Sequence, residues 1–188
     1  MAVHKMIVMK LGVLSICVVA NVAADQKHGL GHSVTEEQIA SWNIDVAPDG
    51  KNLPAGQGTV MDGEKIYQTS CLACHGANLE GGMGPALMGG KGTLTSQKPV
   101  KTVGSYWPYA TTLYDYVRRA MPFQQPQSLS NDQVYSVVGY ILNKNELLEA
   151  NATVNAETII KVKMPNRDAF YVDDRPDVKV KPCYKDCQ

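Results

Sequence analysis

The sequence predicts a small all-α domain carrying an extended arm at each end, and three observations carry that expectation. The first is the segment Ser130-Asn131-Asp132-Gln133, an S-x-x-Q capping signal followed by Val134, Val137, Val138 and Ile141. Those apolar residues fall at i, i+3, i+4 and i+7, one face of a helix that ends near Asn145. The second is a helical stretch over 112–120 that Pro122 stops just after Met121. The third is a short amphipathic helix over 62–67 that leads into a cysteine-rich motif at 71–75.

A chain of 188 residues accommodates one ordinary domain plus extensions. Lys and Arg number 18, and so do Asp and Glu. A neutral chain has no electrostatic footprint for nucleic acid or for an anionic membrane surface. Hydrophobic residues at 44% argue against global disorder, while 16 Gly and 10 Pro point to a loop-rich fold. At the start of the chain, Lys5 and Lys10 form a positive region before the apolar stretch Leu11 to Val22. Val22 and Ala24 supply the small residues of a cleavage site, so residues 1–24 read as a signal peptide cut after Ala24. A retained membrane anchor or a lipoprotein at Cys17 are the alternatives, and Ile16 fits a lipoprotein site poorly. Cleavage leaves 16 basic against 18 acidic groups on a chain expected in the oxidising periplasm.

Cys71-Leu72-Ala73-Cys74-His75 is C-x-x-C-H, the attachment signature of a c-type haem. Two thiols one helical turn apart can form thioethers to the two haem vinyl groups, and the adjacent His75 supplies the proximal imidazole. A thioredoxin-like redox pair lacks a surrounding β-α-β pattern. A zinc site completed by Cys183 and Cys187 needs a very long insertion, and a plain disulfide gives His75 no role.

An electron-transfer haem needs a second axial ligand, Met or His. No histidine follows His75, so a bis-His site would require His28 or His32 from the N-terminal arm. Of the later methionines, Met83 and Met88 sit too soon after the motif, among glycines, and Met164 lies in the tail. Met121, on a short loop after a helix, has enough intervening chain to reach the distal face, and it is the expected ligand. Pro85, in Gly84-Pro85-Ala86-Leu87, sets a turn whose carbonyl either accepts from the outer nitrogen of His75 or belongs to an ordinary turn. Leu87 in that segment is a further haem-contact candidate. Trp107 and the neighbouring Tyr106 and Tyr109 either wall the haem or are core aromatics.

Gly63 and Tyr67, Cys71-Cys74-His75, Gly84-Pro85, Met121-Pro122 and the terminal helix together resemble class I cytochrome c. The run Trp107 to Phe123, the segment Pro126 to Ser130 and the tail Lys163 to Asp168 are similar to the cytochrome subunit of sulfite and sulfur dehydrogenases. Gly29-Leu30-Gly31 and Trp42-Asn43-Ile44-Asp45 agree with that group as well. The resemblance implies thioethers on Cys71 and Cys74, axial ligation by His75 and Met121, and a molybdenum-containing sulfite oxidase-type catalytic subunit as partner. The single C-x-x-C-H departs from the two-haem sulfur dehydrogenase cytochromes and weighs toward sulfite as the partner's substrate.

The expected layout is an N-terminal arm over 25–54, a cytochrome c domain over 55–147 and a C-terminal extension over 148–188. Both arms are expected to dock on the catalytic subunit. Cys183 and Cys187 are expected to pair locally, and Asn151-Ala152-Thr153, with Glu149 two residues ahead, is a glycosylation sequon. The expected function is electron transfer to a downstream carrier such as another cytochrome, with no catalytic residue, no nucleic acid and no stable membrane insertion. A free shuttle cytochrome, a subunit of a sulfane dehydrogenase of thiosulfate oxidation, a haem peroxidase and a structural zinc protein are the rival readings.

Overall fold

The structure, a computed structural model, describes residues 31–175. Two units are distinguished, one ending at Trp42 and one beginning at Asn43. Within the first, α1 (Glu36–Ala40) is a five-residue helix that starts at Thr35, whose hydroxyl accepts from the Gln38 N–H while the Gln38 side chain accepts from the Thr35 N–H. His32 is exposed in this unit. The signal-peptide reading, His28, Cys17, Cys183 and Cys187 lie outside the described residues.

The second unit is built on α2 (Val60–Ser70), α3 (Leu72–His75), α4 (Ala110–Ala120) and α5 (Asn131–Lys144), with β1 (Gln57–Thr59), β2 (Thr153–Asn155) and the one-turn α6 (Ala156–Ile159). α5 starts as its sequence dictates: Ser130 caps the Gln133 N–H and the Gln133 side chain returns to the Ser130 N–H. Val134, Val137, Val138 and Ile141 are buried, and so are Tyr135, Gly139, Tyr140 and Leu142. The helix is therefore enclosed rather than half-exposed, because α2, α4, β1 and β2 all pack on it.

Close approach decides the α2–α5 crossing. A Cβ on Gly63 would collide with the Ser136 carbonyl, so only glycine lets the two backbones meet there. Beyond that point the Tyr67 and Tyr140 rings meet at a 45° tilt, 5.3 Å between centroids. α2 runs over 60–70, starting two residues before and ending three residues after the expected 62–67 stretch, and α4 begins at Ala110 rather than Thr112.

The all-α expectation is corrected by one small sheet. β1 and β2 pair antiparallel, with Gly58 opposite Val154 and Thr59 opposite Thr153. Three-residue strands are too short to show a period of two, and their partners lie far apart in sequence. The sheet ties the expected C-terminal extension to the domain, and Val154, Ile159, Val162 and Met164 behind it are all buried. Asn166 closes that path by donating from Nδ2 to the Tyr106 carbonyl at 2.7 Å.

Residues 43–54 are also part of this unit. Val46 is buried and its N–H donates to Asp115 at 2.8 Å, the Thr111 hydroxyl donates to the Pro48 carbonyl, and Tyr135 donates to the Pro54 carbonyl. Residues 43–54 and 153–166 thus pack on the helices of this unit. Among the described residues, no helix is long and apolar enough to cross a membrane.

Candidate functional site

The motif at 71–75 sits where α2 turns into α3. The Cys71 N–H still donates to Tyr67, as the last bond of α2, while the Cys71 carbonyl accepts from both Cys74 and His75 and starts α3. Both thiols and the imidazole are consequently carried within a single helical turn, from the N-cap Cys71 to His75. Cys71 and Cys74 are free thiols, each half-buried. Burial, then the neighbouring Cys74, pushes the Cys71 thiol up to about 11. That is the reverse of what a C-x-x-C redox nucleophile needs, since those thiols are lowered toward neutrality.

His75 is buried and its Nδ1 lies 2.7 Å from the carbonyl oxygen of Pro85. A carbonyl only accepts, so Nδ1 carries the proton and Nε2 keeps its lone pair for a metal. This contact is the first of the two roles considered for the Pro85 turn. Its precondition is Gly84, where a Cβ would stand 2.9 Å from Cε1 of His75. The Gly84 N–H meanwhile donates to the Cys74 carbonyl, and Gly81 donates to the His75 carbonyl, both within 2.9 Å. The segment after the motif is thus folded back against the motif's own backbone.

Two further residues fix this turn and were not singled out by the sequence for that job. The Tyr67 hydroxyl donates to the Gly76 carbonyl at 2.7 Å, directly after His75. Burial, then the nearby Cys71, pushes the Tyr67 phenol up to about 12. Asn145, the C-cap of α5, donates from Nδ2 to the Leu87 carbonyl at 3.0 Å and holds the other end of the Gly84–Leu87 segment. A tyrosine four residues ahead of the first cysteine was the available signal for Tyr67. For Asn145 there was none, because the bond spans 58 residues.

Met121 is the C-cap of α4, half-buried against the hydrophobic core, with its N–H on the Val117 carbonyl. Met83 is 86% exposed and Met61 64%, whereas Met164 is 3% exposed and belongs to the hydrophobic core. Met88 is half-buried. Leu87 and Trp107 are likewise half-buried against the core, the Trp107 ring meeting Tyr116 edge-on at 5.7 Å. Tyr106 carries Lys101 over its face, and Tyr109 carries Arg167. Hydrogen bonds thus join Cys71, Cys74, His75 and Pro85 into one cluster, and no such bond links Trp107 or Met121 to it among the described residues.

The donor set suits a covalent haem: two unbridged thiols one helical turn apart beside a buried imidazole whose Nε2 is left for iron. What this motif and these four helices define is a c-type cytochrome domain, and the chain belongs to the cytochrome c family. Residues 58–141 match the family described as cytochrome c oxidase, cbb3-type, subunit III. A chain in the crystal structure of the sulfane dehydrogenase SoxCD from Paracoccus pantotrophus is 42% identical, with a TM-score of 0.75 over 86% of this chain and 83% of that one.

Curated relatives are matched over shorter spans. Thiosulfate dehydrogenase of Allochromatium vinosum is 27% identical over 120 residues, 60% of this chain and 38% of that protein. Cytochrome c-551 of Bacillus subtilis is 51% identical over 37 residues, 19% of this chain and 33% of that one. The chain therefore spans well under half the length of these two relatives. Membership of the family implies covalently bound haem c and a role in electron transfer.

Proposed function

We propose that this chain is the electron-accepting cytochrome subunit of a sulfur dehydrogenase, working beside a molybdenum-containing catalytic subunit in the periplasm. The observation that carries the proposal is the 42% identity to a chain of the sulfane dehydrogenase SoxCD across 83% of that chain. It favours sulfane sulfur as the partner's substrate. The single C-x-x-C-H is the observation that keeps sulfite as a second reading.

In this reading Cys71 and Cys74 would hold the haem by two thioethers, and His75 and Met121 would supply the side-chain ligands to its iron. Bound haem supplies one-electron chemistry between ferric and ferrous iron. The Pro85 carbonyl orients the His75 ring and raises its basicity through the Nδ1 proton. Met121, offered from the end of α4, would favour the reduced form and would leave the iron no free position for oxygen or peroxide. Trp107 and Leu87, both half-buried, help exclude water from the group's surroundings. Residues 1–24 direct export and are removed after Ala24.

A lasting partner, rather than a free shuttle, is supported by apolar surface left open. Phe170 is 53% exposed, and Tyr171 and Val172 are 89% exposed, in consecutive positions beyond Asn166. The test uses the complex isolated gently from its native host. A sulfane-sulfur substrate and sulfite are added anaerobically in separate samples while the haem spectrum is followed. Prompt reduction by the sulfane substrate, with molybdenum and a larger chain co-purifying, is the expected result. Reduction by sulfite alone moves the assignment to a sulfite dehydrogenase, and a spectrum that only dithionite changes returns the shuttle reading.

A further inference from the structure

We infer that Asn151 is a glycan acceptor, modified on its side-chain amide by transfer of an oligosaccharide from a lipid-diphosphate donor. It is the only asparagine in the sequence with Ser or Thr two positions on, and Glu149 stands two positions before it. Bacterial asparagine glycosylation that requires an acidic residue at that place would read Glu149, Asn151 and Thr153 together. The inference rests on the reading that the chain is exported, since such transfer occurs outside the cytoplasm.

The surroundings of this segment differ from those of the other asparagines near it. Asn143 donates from Nδ2 to the Leu148 carbonyl, Asn145 holds Leu87 and Ile141, and Asn155 caps α6 by accepting from Glu157 and Thr158. Each of those amides is needed by the fold. Glu149, Asn151 and Thr153 are all exposed, and among the described residues their side chains make no hydrogen bond or ion pair. Thr153 contributes only its backbone, pairing with Thr59 and accepting at its carbonyl from the Thr158 hydroxyl.

The backbone permits access as well. Residues 149–152 form a turn closed by one bond, from the Ala152 N–H to the Glu149 carbonyl at 3.1 Å. Releasing that bond lets the segment extend as a continuation of β2. An extended backbone puts positions 149, 151 and 153 on one side, so carboxylate, amide and hydroxyl face a transferase together. In the transfer, the Asn151 amide nitrogen bonds to the anomeric carbon of the first sugar while the bond from that carbon to the diphosphate oxygen breaks. The lipid diphosphate leaves with the electron pair, and the amide proton passes to a base of the transferase. No electron changes hands.

The experiment purifies the full chain from its native host and follows peptide mass and the haem spectrum on the same samples. A sugar mass on the peptide carrying Asn151, lost in Asn151→Gln and in Thr153→Ala and strongly reduced in Glu149→Gln, is the expected result. None of these side chains serves the fold, so all three variants keep the parent haem spectrum. An unmodified peptide on haem-loaded protein overturns the proposal. Glu149→Gln carrying as much glycan as the parent overturns the role given to the carboxylate. A modified peptide on protein without haem supports the glycan and strikes the electron-transfer reading instead.

Discussion

The turn that carries His75 and the turn that carries Met121 are built in opposite ways. Around His75, four backbone carbonyls of the motif and its flanks (Cys71, Cys74, His75 and Gly76) are each engaged, by Cys74 and His75, Gly84, Gly81 and the Tyr67 hydroxyl respectively. Pro85 adds the bond to the imidazole itself. After Met121 the chain runs through Phe123, Gln124 and Gln125 in exposed positions, with single backbone bonds from Gln125 to Pro122 and from Ser128 to Gln125. One side is over-determined, and the other hangs from the end of a helix. The lesson is that the His75 side chain is fixed by local bonding, while the place of Met121 depends on where α4 stops.

The variants that break this comparison rank by how much of the site they remove. Cys71→Ala combined with Cys74→Ala deletes both attachment points, so covalent haem is lost altogether, as checked by haem staining after denaturing electrophoresis. Met121→Ala leaves the thioethers in place and opens the distal position. Staining is then retained, carbon monoxide binds rapidly to the reduced protein, and the reduction potential falls in a redox titration.

Gly84→Ala acts on the over-determined side without touching a ligand. Its Cβ would press on the His75 ring at 2.9 Å, an overpacking that costs about 1–3 kcal/mol in thermal or denaturant unfolding. Met121→Leu on the loosely held side serves as the contrast, keeping volume and stability while losing the thioether.

Tyr67→Phe gives the smallest and most selective change. It removes the bond to the Gly76 carbonyl, worth about 1 kcal/mol. It also alters the alkaline limb of the stability curve. Burial raises this phenol from 10.0 to about 12, so the folded chain keeps a proton that the unfolded chain has already released. The stabilisation from this group is full below pH 10.0 and is lost as pH climbs through about 12. Replacing Tyr67 by Phe flattens that decline, measured by denaturant titration at a series of alkaline pH values.

The same contrast explains what was legible in the sequence. Cys71, Cys74, His75 and Pro85 lie within one short segment, so chemistry and spacing coincide. The Ser130 cap and the Val134 to Ile141 stripe are local too, and both are where the spacing places them. What escaped notice is non-local. The pairing of Gly58 with Val154, the Asn145 bond to Leu87 and the seating of Val46 on Asp115 each join residues that no short window contains. Segments 43–54 and 153–166 read as arms because their buried residues lack helical period, yet the sheet and the side-chain bonds draw them onto the core.

Proton NMR of the reduced, haem-loaded protein decides whether Met121 binds the iron, because a methionine bound to iron has its methyl resonance moved far upfield by the ring current. One such signal is expected in the parent protein and none in Met121→Ala, with Met88→Leu leaving it in place. A signal that survives Met121→Ala, or a parent protein with no upfield methionine, would contradict it.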